Sequence, residues 1–150
     1  MTGYLFRCSA VSRTAELALD ASDPATDKQY RAAYANMVRM VKKLYDNGIQ
    51  IVAGTDNSNG YALDRELEIY AEAGVPAPEV LRIVTIEAAQ VMHMEKDFGS
   101  VAPGKYADMI LVNGDPTKQI SDVRRIDMVI KNGVVYKPAE LYPAFGIRPE

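Results

Sequence analysis

Ile49-Gln50-Ile51-Val52-Ala53-Gly54-Thr55-Asp56-Asn57-Ser58-Asn59-Gly60 is the stretch around which the chain is organised. Its first half is a short run of β-branched and small apolar residues bounded by Gly48 and Gly54. That composition reads as a strand buried on both faces, the kind found in parallel sheets. Its second half is a polar turn that opens with a carboxylate, Asp56. The carboxyl end of a buried parallel strand is where barrels and open α/β sheets carry their chemistry. A carboxylate there can bind a metal, take a proton, or cap the helix that follows.

The segments around this stretch alternate with it. Tyr30, Tyr34, Met37, Val38, Val41, Leu44 and Tyr45 recur at three- and four-residue spacing, which predicts a helix over Asp27–Asn47 ended by Asn47-Gly48. Leu63, Leu67 and Tyr70 mark a second helix ended by Gly74, and Pro78 opens a third that carries Val80, Leu81, Val84, Ala88, Val91 and Met92. After residue 97 the pattern turns to β. Phe98–Gly104 reads as strand and turn, Asp108–Val112 as a strand, and Met128–Lys131 with Val134–Lys137 as a hairpin closed by Asn132-Gly133. Tyr4-Leu5-Phe6 reads as the start of a strand (residues 4–8), Arg13–Leu19 as a short helix, and Pro138–Glu150 as an extended surface segment. A lone parallel-type strand with at most one companion implies an incomplete sheet, which favours association through open edges.

Composition narrows the functional classes. The chain has 150 residues, 48% hydrophobic and 25% charged, an ordinary globular balance. A net charge of -3 gives no basic surface for nucleic acid or an anionic membrane. No run approaches the roughly 20 apolar residues of a membrane span, and Met1–Arg7 does not read as a signal peptide. The single cysteine, Cys8, forms no internal disulfide and suits a cytoplasmic location. His93 is the one histidine, placed at the end of the third helix, where it reads as a helix-end residue. Thr55–Glu66 partly matches a calcium loop, but Thr stands where Asp is required and a strand precedes it. Asp64, Arg65, Glu66 and Glu68 read as a solvated face, although Glu66 can instead face the Asp56 turn.

Taken together, Gly48–Asp56, Arg65-Glu66-Leu67-Glu68 and Ala73-Gly74 resemble the last barrel strand and following helix of metal-dependent amidohydrolases, nearest the imidazolonepropionase-like and Xaa-Pro dipeptidase-like branch. Val80-Leu81-Arg82 with Thr85-Ile86-Glu87-Ala88-Ala89 resembles that family's next helix. Gly99–Asp108 resembles its entry into a terminal β domain, and Val129–Gly133 its closing hairpin. The resemblance implies an α/β chain: the C-terminal part of a (β/α)8 TIM-type barrel in residues 1–97, followed by part of a small β-sandwich domain and tail in 98–150. It implies hydrolysis of C–N bonds in small amide, cyclic amide or dipeptide substrates with a divalent metal, zinc above all. It also implies that Asp56 ligates the metal and accepts a proton from the attacking water. The family's His-x-His pair, carboxylated lysine and later metal histidines have no counterparts here, and catalytic zinc usually takes three protein ligands. The expectation is therefore an inactive isolated chain that forms a homo-oligomer or joins a missing N-terminal barrel portion. The alternative is a non-catalytic binding or assembly module on the same fold remnant.

Overall fold

The structure, a computed structural model, describes residues 24–56 and 60–145. The strand expected at residues 4–8 and the helix at 13–19 lie outside them. Helix α1 spans Pro24–Asp46 and α2 spans Gly60–Glu72. Helix α3 begins at Ala77, widens into a π-helical turn over Ile83–Glu87 and ends at Val91. Strands β1 (Met109–Val112), β2 (Ile126–Lys131) and β3 (Val134–Tyr136) form an antiparallel sheet in that order, with a 3-10 turn over Ile120–Arg124 between β1 and β2.

The helices form because their apolar residues share faces. Every member of the predicted α1 stripe is at least half-buried, and Val41 is fully so. Val41 packs with Leu67 and Tyr70 of α2, with Val75, and with Val80 and Ile83 of α3. Ile120 and Val123 enter the same cluster, so the 3-10 turn of the β region closes the helical core. Leu63 and Met92, expected on buried faces, are 38% and 66% exposed.

All three helices stop in the same way. Gly48 and Ile49 donate to the carbonyls of Tyr45 and Leu44, Gly74 and Val75 to those of Ala71 and Tyr70, and His93 and Met94 to those of Gln90 and Ala89. These paired bonds are Schellman stops, each with its turning residue at positive φ. Two of the residues are glycine. The third, His93 at φ 57°, is the helix-end residue that the sequence suggested.

Three expectations are corrected. Ile49–Gly54 is extended but pairs with no strand among the described residues. Ile51 and Ala53, two apart, lie against the helical core, and Val52 between them is half-buried. Phe98–Gly104 is a series of turns, because Lys105 Nζ gathers the carbonyls of Glu95 (2.5 Å) and Phe98 (3.1 Å) and the Ser100 hydroxyl (2.7 Å). Those contacts bend the backbone away from any ladder, and Phe98 stacks on Tyr106 with ring centroids 5.0 Å apart. The tail is helical over Pro138–Leu141 and Tyr142–Phe145, since a proline in the first turn suits a helix as well as an extended segment.

Gly99 joins the turn-rich segment to α3. Its φ is +85°, and a Cβ there would lie 2.8 Å from Ala89 Cβ and 2.9 Å from both Ile86 Cα and Thr85 O, at the π-helical turn. Most of the obstruction is backbone, which cannot swing aside. Gly99→Ala therefore lowers stability by about 2 kcal/mol or more in urea unfolding. Gly104→Ala meets nothing within 4 Å and carries only the cost of its positive φ.

Candidate functional site

The Schellman stop at Gly48 releases the chain into the extended run, and Ile51 and Ala53 anchor that run on the core. At its end the Gly54 N–H donates to Glu66 Oε1 at 3.1 Å. Two residues later Asp56 adopts φ 51°, a conformation that Asp tolerates better than most side chains, and it is exposed. Helix α2 is described from Gly60 onward.

Of the two places the sequence left open to Glu66, a solvated face or the run leading to Asp56, the structure shows the second, and the residue is only 5% exposed. Its Oε1 accepts the Tyr70 hydroxyl at 2.7 Å as well as the Gly54 N–H, and Tyr70 is fully buried. The available signal was the four-residue spacing from Glu66 to Tyr70, which puts both on the buried face of α2. The same contacts answer the calcium-loop pattern. Its closing carboxylate, Glu66, is engaged within the protein, and the residues before the loop are extended rather than helical.

The outer side of α2 carries a linked set of charges. Arg65 donates to Glu72 at 2.6 Å and to Glu68 at 3.2 Å, and Tyr34 of α1 donates to Glu72 at 2.8 Å. Arg124, from the 3-10 turn, holds both Glu68 oxygens at 2.6 and 3.1 Å, and its charge lies 3.8 Å from Asp64. The Arg124 hydrogen bond holds the Glu68 carboxyl below its ordinary range, and the Arg65 hydrogen bond does the same for Glu72. Asp64 moves the other way, raised chiefly by loss of solvent. The network ties α1, α2 and the β region together.

His93 belongs to the stop of α3. Among the described residues no group of three or more His, Cys, Asp or Glu side chains is placed to hold a metal ion. One exposed carboxylate is an insufficient donor set for catalytic zinc, so the described residues do not by themselves fit that metal.

A model of the amidohydrolase family matches residues 17–136. The chain belongs to the amidohydrolase family. It is 28% identical over 140 residues to a 5-methylthioadenosine/S-adenosylhomocysteine deaminase of Thermoanaerobacter pseudethanolicus, covering 75% of this chain and 31% of that protein. It is 32% identical over 101 residues to an imidazolonepropionase of Treponema denticola, covering 61% of this chain and 24% of that one. A crystal structure of a Xaa-Pro dipeptidase with methionine bound in its active site matches with TM-score 0.70 and 31% identity, over 86% of this chain and 33% of its own. The chain thus spans about a third or less of the length of these relatives. Family and structural likeness together imply a TIM-barrel-like fold, as the sequence resemblance anticipated.

The charge network sets an acid response. Glu68 and Glu72, depressed in the fold, contribute stability that is present above the ordinary carboxylate pKa of about 4.3 and is lost as pH falls through their lowered values. Asp64, raised, contributes with the opposite sign. Melting temperature followed downward from pH 5 is expected to fall for the native chain. Arg124→Met is expected to be about 1 kcal/mol less stable at pH 7 and to fall less steeply, because Glu68 has lost its main partner.

Proposed function

We propose that this chain is the C-terminal portion of a metal-dependent amidohydrolase that cleaves C–N bonds in small amide, cyclic amide or dipeptide substrates. Asp56 would be one ligand of the metal, zinc above all, and would accept a proton from the attacking water and return it to the leaving amine. The metal would supply Lewis acidity. The observation that carries this reading is Asp56 itself: exposed, left-handed, and at the end of an extended segment. Relatives named imidazolonepropionase and Xaa-Pro dipeptidase support the substrate class. The remaining metal ligands come from residues outside this chain, so the isolated chain is inactive. A single cysteine suits a cytoplasmic setting.

Calorimetric titration of zinc into the purified chain should show no micromolar site and no turnover of Xaa-Pro dipeptides. Micromolar binding accompanied by turnover would overturn the reading. In the assembled enzyme, Asp56→Asn should lower kcat by about 10² to 10⁴ while leaving the fold intact.

A second reading, a non-catalytic assembly module, is favoured by the sheet. Ile110, Leu111, Val134, Val135 and Tyr136 are all exposed, on strands with open edges. Both readings predict association, either with further copies or with the missing barrel portion. Light scattering at micromolar concentration should give a mass above 16.5 kDa, and a well-folded monomer would count against the incomplete-barrel argument.

A further inference from the structure

We propose that Glu66 is the positioning residue for the turn that carries Asp56, an inference that rests on Asp56 being the functional carboxylate. A buried carboxylate is a costly means of satisfying one tyrosine hydroxyl, which a carbonyl or a water would serve as well. Here the cost has a second return. The oxygen that accepts the Tyr70 hydroxyl also accepts the Gly54 N–H, twelve residues earlier in the chain.

Glu66 gives the run a fixed hydrogen bond of its own. Residues Ile49–Asp56 pair with no strand among the described residues, so no ladder there fixes their height or twist. Ile51 and Ala53 pack one face of the run on the core, and the Gly54 N–H adds a directional bond to that packing. The Gly54 bond pins the run two residues before the left-handed Asp56, where a change in backbone direction would re-aim the carboxylate. Tyr70, fully buried one helical turn after Glu66, holds the carboxylate in the rotamer that meets Gly54. Glu66 thus acts on Asp56 through the backbone and touches no substrate.

The test is amide hydrogen exchange by NMR on the full chain, comparing native protein with Glu66→Gln, Glu66→Asp and Glu66→Ala. Glu66→Gln keeps an acceptor oxygen at the same reach and should preserve Gly54 protection and the Asp56 amide resonance. Glu66→Asp retracts the oxygen by about 1.5 Å, one C–C bond. Both Glu66→Asp and Glu66→Ala should speed exchange at Gly54 by about tenfold or more and move the Asp56 resonance, while amides of α1 stay protected. A role confined to satisfying Tyr70 would lower the melting temperature without changing Gly54 or Asp56, and that result overturns the proposal. Should Glu66→Ala fail to fold, Glu66→Asp decides: retained Gly54 protection refutes it and lost protection upholds it. The readout needs no metal, so failure of Asp56→Asn to impair the assembled enzyme would sink the functional reading and leave this result standing.

Discussion

A tyrosine with no access to water must still find an acceptor for its hydroxyl, and that requirement organises the centre of this chain. Tyr70 is fully buried among Val41, Leu67, Val75, Val80 and Ile83, and Glu66 accepts the hydrogen bond from its hydroxyl. Because the same carboxylate oxygen holds Gly54, the buried core and the backbone leading to Asp56 share one atom. A disturbance in the core reaches the candidate site through Glu66 as well as through the packing of Ile51 and Ala53.

Helix α2 works on two sides. Its inner face carries Glu66, Leu67, Ile69 and Tyr70, all buried. Its outer face carries Asp64, Arg65, Glu68 and Glu72, which reach Tyr34 on α1 and Arg124 in the 3-10 turn. Ile120 and Val123 enter the core from that same turn, so apolar and ionic contacts attach it to α2 together. The sheet region is thereby coupled to the helices through the connection between β1 and β2.

What could be read in advance follows from how local each signal is. The α1 stripe, the glycine stops at Gly48 and Gly74 and the Asn132-Gly133 turn depend on residues a few positions apart, and they were legible. The pairing of Ile49–Gly54 was not, because a ladder depends on partners elsewhere. Phe98–Gly104 misled because the lysine that directly follows it, Lys105, folds its amine back onto the Phe98 carbonyl and the Ser100 hydroxyl. Pro138 was taken as a sign of extension when it opens a helical turn. Asp56 was singled out as a candidate from its place after an apolar run. Glu66 stood between a solvated face and the Asp56 turn because its neighbours are charged, and the distant Gly54 N–H and the buried Tyr70 hydroxyl decide for the turn.

The sheet has an unusual relation to water. Ile110 and Leu111 are neighbours on β1, so their side chains point to opposite faces, and both are exposed; all of β3 is exposed as well. Where one face is dry, slippage by one residue would bury the wrong side chains and is strongly resisted. Here such a slip changes little in burial, and alignment must be enforced by other means. The left-handed pair Asn132 and Gly133 dictates where β2 turns into β3. Asp108, gripping both Lys131 and the Asn132 N–H, clamps β1 against the same point, and the irregularity between Leu111 and Val112 marks where the match with β2 shifts. This small sheet keeps its alignment by punctuation at its corners, with little help from its interior.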